Sequence, residues 1–406
     1  MTTLFKLASL IKSLSRLKHP FPIVAMGYIL IGFGLALTAC TPKSTLLVKP
    51  VATPPAAVTA TTPPTVIVTA PLLYVAGFDS KLYALDTTTG TQRWVFRADT
   101  SFESSPVVAY GMIYVGSNDS KLYAIDATTG QQRWAFKTGD FVHSSPVIAD
   151  GIVYVGSQDG KLYAIDATIG SLLWVFTVGF GLYSSPAVAN GLVYIGGQDN
   201  QVYAIDAGNG LLRWKFTADG YFLSSPVVSN GLVYIGCSNS KLYAIDAATG
   251  RQRWLFLAAA GIDASPVVAN GLVFVGSYDY NLYALNAASG QLTWKFPTQG
   301  ILYGSPVVAD NVVYVGSRDH KLYAIDALTG KQRWSFATNF DIYSTPVVAN
   351  GTVYIGSNDF NLYAVDAALG RQRWVFRTGD VVVSSPVFAQ KNAVKGAYPT
   401  VSGAGK

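Results

Sequence analysis

The 406-residue sequence predicts an all-β fold, an eight-bladed β-propeller of four-stranded antiparallel blades with a 40-residue repeat. The first observation is that all eight tryptophans are spaced 40 residues apart, at Trp94, Trp134, Trp174, Trp214, Trp254, Trp294, Trp334 and Trp374. The second is that each repeat contains four short apolar runs, none long enough for a helix. The third is that these runs alternate weakly, which is typical of strands buried on both faces, and a closed ring of sheets buries both faces of each.

The repeat at 104–143 shows the four strands, which are named A to D in chain order. Strand A reads SPVVA and precedes a turn that is Asn-Gly or Asp-Gly in most copies, a strong hairpin signal. Strand B reads MIYVG and ends at Asn118-Asp119, and strand C reads KLYAIDA and ends at Thr129-Gly130. Strand D reads QQRWAF, and we expect its tryptophan and the tyrosine of strand C to fill the space between blades.

The turn between strands C and D carries a recognisable motif. It reads AIDATTGQQRW around Asp126, and A-x-D-x-x-T-G-x-x-x-W resembles the tryptophan-docking repeat of the quinoprotein (PQQ) propellers. The resemblance covers residues 66–389. That family includes quinoprotein alcohol dehydrogenases and the BamB-type propeller lipoproteins of outer-membrane β-barrel assembly, so the resemblance implies the fold and leaves the function open.

The propeller is predicted to span residues 65–389 and to be closed by its two chain ends. A ninth copy of strand A follows the last tryptophan at 385–389, whereas the first blade has only a degenerate copy at 66–69. We expect the C-terminal copy to supply the inner strand of the first blade. The reverse, with 66–69 in that place, remains an alternative, and 390–406 is predicted to be a flexible tail.

The first 64 residues are predicted to be a targeting signal followed by a linker. Basic residues precede an apolar run at 23–37 that ends in LTAC, which resembles the bacterial lipobox with Cys40 as the lipidated residue. We therefore expect a lipoprotein signal peptide at 1–39, a Thr/Pro/Ala-rich linker at 40–64 and a membrane contact through the lipid. The protein is expected in the cell envelope, anchored in the outer membrane and facing the periplasm or the cell surface; an uncleaved membrane anchor is the alternative.

Charge and cysteine content exclude some functions. The net charge is +6, and four of the basic residues, Lys6, Lys12, Arg16 and Lys18, lie before residue 40 where there is no acid, which leaves +2 for the rest. Such a chain is not expected to bind nucleic acid. Cys237 is expected to be a buried, inert thiol.

The loops that vary most among the repeats are the D–A and B–C loops, which lie at the same end of an antiparallel sheet. The residue eight places after each tryptophan is always apolar and is expected in the core. The residue nine places after it precedes strand A and is expected at the mouth of the central channel. This rim is the candidate ligand or partner site: Glu103, His143, Tyr183, Asp263, Tyr303 and Tyr343, with Leu223 and Val383 completing the ring. Solvated loop residues with no such role are the alternative.

The B–C loops add a second candidate set at the same end of the ring. Exposed aromatic residues with arginine are typical of a protein interface and also suit a sugar or peptide groove. The residues are Phe78, Tyr278, Tyr280, Arg318, His320 and Phe360.

The quinoprotein dehydrogenases imply features that this sequence lacks. Resemblance to them implies a vicinal disulfide, a tryptophan free to stack on the quinone, and a Ca²⁺ ion held by Glu, Asn and Asp. Here no two cysteines are adjacent, every tryptophan occupies the repeat position, and Glu103 is the only glutamate. The recurrent aspartates are expected to brace turns. Catalytic residues, a metal and PQQ are therefore not expected.

The sequence thus favours a non-catalytic, monomeric propeller that binds protein partners in the cell envelope, with outer-membrane protein assembly as one role. A cell-surface binder of glycan or protein ligands is the first alternative. A PQQ-dependent dehydrogenase is the second.

Overall fold

The computed structural model describes residues 71–388, which form eight four-stranded antiparallel sheets and contain no helix. The predicted signal peptide, Cys40, the linker and the tail lie outside the described residues. Within 71–388 no helix is long and apolar enough to cross a membrane.

Each sheet runs A, B, C, D in order of pairing, and strands A of successive blades lie next to one another around the channel. Strands A are β32 (Val387–Phe388) in blade 1 and β4 (Val107–Ala109), β8 (Val147–Ala149), β12 (Ala187–Ala189), β16 (Val227–Ser229), β20 (Val267–Ala269), β24 (Val307–Ala309) and β28 (Val347–Ala349) in blades 2 to 8. Strands B are β1 (Leu72–Ala76), β5 (Met112–Ser117), β9 (Ile152–Gly156), β13 (Leu192–Gly196), β17 (Leu232–Gly236), β21 (Leu272–Gly276), β25 (Val312–Gly316) and β29 (Thr352–Gly356).

The two outer positions of each blade hold the longer strands. Strands C are β2 (Lys81–Asp86), β6 (Lys121–Asp126), β10 (Lys161–Asp166), β14 (Gln201–Asp206), β18 (Lys241–Asp246), β22 (Asn281–Asn286), β26 (Lys321–Asp326) and β30 (Asn361–Asp366). Strands D are β3 (Gln92–Arg97), β7 (Gln132–Lys137), β11 (Leu172–Thr177), β15 (Leu212–Thr217), β19 (Gln252–Leu257), β23 (Leu292–Pro297), β27 (Gln332–Ala337) and β31 (Gln372–Arg377).

The core lies between blades, as the repeat predicts. Trp94 Nε1 and the Tyr74 hydroxyl both donate to the Ala127 carbonyl of the next blade, at 3.2 and 2.8 Å. Tyr123 of strand C is buried against Phe96, with ring centroids 5.2 Å apart. The residues eight places after each tryptophan are fully buried, which confirms the prediction for Phe102, Val142, Leu182, Phe222, Ile262, Leu302, Ile342 and Val382. Each large buried side chain contributes about 2–3 kcal/mol.

The C-terminal strand closes the ring. Strand β32 pairs with β1, with Phe388 opposite Leu73 and Val387 opposite Tyr74. Trp374 of blade 8 donates to the Thr87 carbonyl of blade 1 at 3.0 Å. This confirms that the copy at 385–389 supplies the inner strand of blade 1; the residues of the alternative, 66–69, lie outside the described part of the chain.

A belt of eight hydrogen bonds also closes around the channel. The backbone N–H of Ser105 donates to Ser145 Oγ in the next blade, and the pattern repeats until Ser385 N–H donates back to Ser105 Oγ. The other donors are Ser145, Ser185, Ser225, Ser265, Ser305 and Thr345, and all eight distances lie between 2.9 and 3.2 Å. The belt joins every inner strand to the next, and its last hydroxyl comes from the C-terminal segment.

Candidate functional site

The residues predicted at the channel mouth lie at the ends of the D–A loops, directly before the strand A segments. Because those segments form the inner ring, side chains from blades far apart in sequence meet there. Glu103 and Tyr183 belong to blades two apart, yet they are hydrogen-bonded, and Tyr303, three blades from Tyr183, lies close enough to influence its pKa. The geometry brings these predicted residues together across the channel.

Glu103 is the centre of the first half of this network. The Tyr183 hydroxyl donates to its Oε2 at 2.7 Å, and Asn118 Nδ2 donates to its Oε1 at 3.2 Å. His143 Nε2 lies 3.7 Å from the same Oε1, and the His143 ring contacts that of Tyr183 at 4.9 Å between centroids. Asn118 was not among the predicted site residues. Its position in a B–C loop, at the same end of the ring as Glu103, could have identified it.

The second half is built from tyrosines of blades 6 to 8. Tyr278 lies beside the charge of Asp263, which raises its pKa, and stacks on Tyr303 with ring centroids 6.2 Å apart. Tyr303 contacts Tyr343 edge-on at 5.1 Å, and it lies close enough to Tyr183 for the two phenols to influence each other's pKa. The two halves therefore form one network that runs across the mouth of the channel.

Burial fixes the protonation of this network. It raises the pKa of Tyr183 and Tyr303 above the usual 10; Tyr303 and Glu103 raise the pKa of Tyr183 further, and the charges of Asp263 and Glu103 do so for Tyr303. Both phenols therefore remain hydrogen-bond donors. Burial lowers the pKa of His143, which the charge of Glu103 partly opposes, and neither ring nitrogen of His143 has a hydrogen-bond partner in the structure. The mouth thus holds an imidazole that is neutral at neutral pH, beside the side chain of Glu103.

The predicted B–C loop residues divide into two groups. Tyr278 belongs to the mouth, and Arg318 lies beside it, with its guanidinium carbon 5.5 Å from the Tyr343 ring centroid. Phe78 is half-buried, and its N–H donates to the Val381 carbonyl at 3.2 Å.

The remaining three B–C residues are exposed and share an unusual backbone conformation. Tyr280, His320 and Phe360 have φ angles of 69, 67 and 72°, in the left-handed region, which bulky residues such as Tyr and Phe rarely adopt and His adopts more readily. The same turn position in the other five blades holds Ser80, Ser120, Gly160, Asn200 and Ser240. Three consecutive blades therefore carry an aromatic ring where their sisters carry a small residue.

A residue outside the predicted set completes this surface. Phe340 is 54% exposed and stacks on His320, with centroids 5.6 Å apart and ring planes within 6°. Asp341 accepts from Arg318 Nε at 2.9 Å and lies 3.2 Å from His320 Nε2. We call Tyr280, His320, Phe340 and Phe360 the aromatic arc. The signal for Phe340 was its place in a variable D–A loop.

The other titratable groups have structural roles. Asp119 accepts from the Lys121 N–H at 3.1 Å and from the Tyr123 hydroxyl at 2.5 Å, so it braces its turn as expected. Cys237 is buried, as expected, and burial raises its pKa to about 11. Within residues 71–388, no group of three His, Cys, Asp or Glu side chains is arranged to hold a metal ion.

Comparison with solved structures shows the same fold. BamB from Moraxella catarrhalis is 18% identical, with 73% of this chain and 93% of that chain covered and a TM-score of 0.64. The computationally designed Ika8 protein is 18% identical, with coverages of 70% and 90% and a TM-score of 0.63. Quinohemoprotein alcohol dehydrogenase from Comamonas testosteroni is 17% identical, with coverages of 77% and 70% and a TM-score of 0.62. Identities this low carry the fold alone.

Comparison with protein families is more specific. No curated protein matches the chain significantly. The profile of the family described as "Outer membrane protein assembly factor BamB" matches residues 51–182, 164–261, 219–301 and 281–396. These matches extend over most of the repeats, and the chain therefore belongs to the family of outer membrane protein assembly factor BamB.

Proposed function

We propose that this protein is a non-catalytic, exported lipoprotein whose propeller binds protein partners in the cell envelope and serves the assembly of outer-membrane proteins. Cys40 would carry the lipid anchor, and the loop face would carry the partner site. Membership of the BamB family supports the cellular role. The observation that carries the partner site is the aromatic arc.

The arc is difficult to explain as part of the scaffold. A bulky residue in the left-handed region costs on the order of 1–3 kcal/mol, and such strain persists where function requires it. Tyr280 and Phe360 are 48% and 36% exposed, so little burial offsets that cost. Five sister blades form the same turn with residues that tolerate it. Exposed aromatic rings beside an arginine have the composition of protein-binding hot spots.

The mouth residues do not fit a quinone site, which supports the non-catalytic proposal. Each tryptophan is packed between blades and donates to a backbone carbonyl of the next blade, at 3.0–3.2 Å. None is therefore placed to stack on a cofactor. Glu103 is engaged by Tyr183 and Asn118, and Tyr183 meets Tyr303 across the channel. A planar cofactor in the mouth would have to break these contacts.

Co-purification from crosslinked envelopes tests the partner site. The full-length wild-type protein is expected to bring down outer-membrane β-barrel assembly proteins. A triple variant, Tyr280→Ser, His320→Ser and Phe360→Asn, gives the three turns the residues of their sister blades. It should reduce recovery of those partners at least tenfold while folding as well as the wild type, because sister blades form the same turn with Ser or Asn.

The matched control lies on the opposite end of the ring. Leu328 and Leu369 are 61% and 63% exposed in the C–D turns, where most sister blades carry Ala or Thr. Leu328→Ala with Leu369→Thr also removes exposed apolar side chains and should leave recovery unchanged. Equal recovery with the arc variant and the wild type would refute the assignment of the site, and loss with the control variant would place the site elsewhere.

The cell-surface binder remains the second candidate, because the stacked pair of His320 and Phe340 offers a flat ring surface that also suits a sugar. Its signature would be arc-dependent retention of the protein on envelope polysaccharide, without co-purified barrel proteins.

A further inference from the structure

The outermost strand of each blade has an unpaired backbone edge, and seven of the eight protect that edge with charge. Strand D has no neighbour beyond it in any sheet. Such an edge readily accepts a strand from another chain, and outward Lys or Arg side chains prevent this. The protecting residues are Arg93, Arg97, Arg133, Lys137, Arg213, Lys215, Arg253, Lys295, Arg333, Arg373 and Arg377. Strand β11 of blade 3 is the one outer strand within residues 71–388 that carries no charge.

A single position accounts for most of this difference. In six blades an arginine near the start of strand D donates to the aspartate that ends strand C, as Arg133 does to Asp126 at 2.6 Å. Blade 3 keeps the aspartate, and Asp166 still accepts from the Thr168 and Ile169 N–H groups at 2.8 and 3.0 Å. Leu173 occupies the place of the arginine. The turn is therefore intact, and only the cation is missing.

The uncharged edge is also apolar and exposed. Ile169, Leu172, Leu173 and Val175 are 68%, 47%, 49% and 43% exposed; we call them the blade 3 edge. The patch continues onto blade 4, because Gly210 packs on the Trp174 ring of β11 and the next residue, Leu211, is 63% exposed. Contiguous apolar surface of this kind marks an interaction site or an aggregation hazard.

We propose that the blade 3 edge is a dimer interface, in which β11 pairs antiparallel with β11 of a second copy of this chain. A twofold contact places each strand beside its own copy, so any charge on the edge lies close to the same charge. In the other seven blades, Arg or Lys side chains of the two copies would be brought together along strand D, whereas β11 carries none. A different partner would place no such demand, since it could supply complementary charge to any edge. The lack of charge therefore selects a second copy as the occupant.

This pairing would combine main-chain hydrogen bonds with burial of leucine side chains that water now contacts. The propeller as a whole does not oppose it, because residues 71–388 carry only three more acidic than basic side chains. The interface lies on the outer rim and leaves the aromatic arc free. The proposed dimer replaces the expectation of a monomer. This proposal does not depend on the proposed function.

Cysteine crosslinking of the full-length protein in native membranes tests the proposal. Single substitutions Leu172→Cys, Leu173→Cys and Val175→Cys scan β11 for the residue near the twofold axis, and Gln332→Cys, Arg333→Cys and Ser335→Cys provide the matched set in blade 7. Native Cys237 is buried. We expect a reducible dimer band from at least one β11 position and none from blade 7.

A second pair of variants separates dimerisation from misfolding. Leu172→Gln with Leu173→Arg restores the residues of blade 2 and supplies the missing partner for Asp166, so the blade should remain folded. The dimer, measured by sedimentation equilibrium of the full-length protein in detergent, should weaken at least tenfold. Gln332→Lys in blade 7 should leave it unchanged. A monomeric wild type, equal dimerisation of the Gln/Arg variant, or crosslinks from β11 to a different protein would each overturn the proposal.

Discussion

Two glycines of blade 5 allow the cost of crowding a docked tryptophan ring to be measured separately from the cost of backbone strain. Gly250 has φ of +72°, and a Cβ atom there would lie 2.7 Å from Trp214 Cδ2. Gly231 has φ of +74°, and a Cβ atom there would meet nothing within 4 Å. Alanine at either position must adopt the left-handed region, but only Gly250→Ala also pushes on the indole ring.

The expected losses of stability follow from these contacts. Gly231→Ala should lower the free energy of unfolding by about 1–2 kcal/mol through backbone strain alone. Gly250→Ala adds overpacking against the ring, which costs about 1–3 kcal/mol more. Urea unfolding at neutral pH measures both, provided that the dependence on urea is the same for both variants. Equal losses would show that the glycine–tryptophan contact does not hold neighbouring blades together.

Three further predictions test the ring and its charges. Truncation after residue 384 removes β32 and the Ser385 hydroxyl of the belt. The truncated protein should therefore unfold at a lower temperature than a control truncated after residue 390. An unchanged melting temperature would contradict closure of the ring by this strand. Burial holds the pKa of His143 below the ordinary 6.5, so the unfolded chain takes up the proton before the folded chain does as the pH falls below 6.5. The stability of the wild type should therefore drop in that pH range, and that of His143→Gln should drop less. Parallel pH profiles of the urea midpoint for the two proteins would contradict this. The side chain of Arg253 lowers the pKa of Asp246 to about 2, so its stabilisation should be present near neutral pH and lost as the pH falls from the ordinary 3.8 towards 2. Asp246→Asn should keep the turn, as Asn286 does in blade 6, and acid titration should remove the difference from the wild type.

Most of the fold could be predicted because it repeats. Eight copies showed which positions the scaffold requires, so the strands, the buried residues such as Phe102 and the closing strand at 385–389 followed from the pattern. A serine or threonine stands at the belt position in every copy, but nothing in the spacing indicated that its hydroxyl accepts from the preceding blade.

The site was less predictable because its contacts cross the ring. Sequence spacing placed Glu103, Tyr183 and Tyr303 at the mouth, but it did not indicate that side chains two and three blades apart would meet. For the left-handed turns at Tyr280, His320 and Phe360, the sequence did contain an indication, because the five sister positions hold small residues. The uncharged edge of blade 3 also had one, because Leu173 stands where six copies have arginine. In both cases the departure from the repeat was informative.

The most direct test of the central claim, that the propeller is a non-catalytic scaffold, is a titration of the purified protein with PQQ and Ca²⁺. Equilibrium dialysis reports binding of PQQ, because the eight indoles pack between blades and not at the mouth, and dye-linked oxidation of alcohols or sugars reports turnover. We predict no saturable binding at micromolar PQQ and no turnover. Tight binding with turnover would contradict the scaffold and make the mouth around Glu103 and Asp263 an active site.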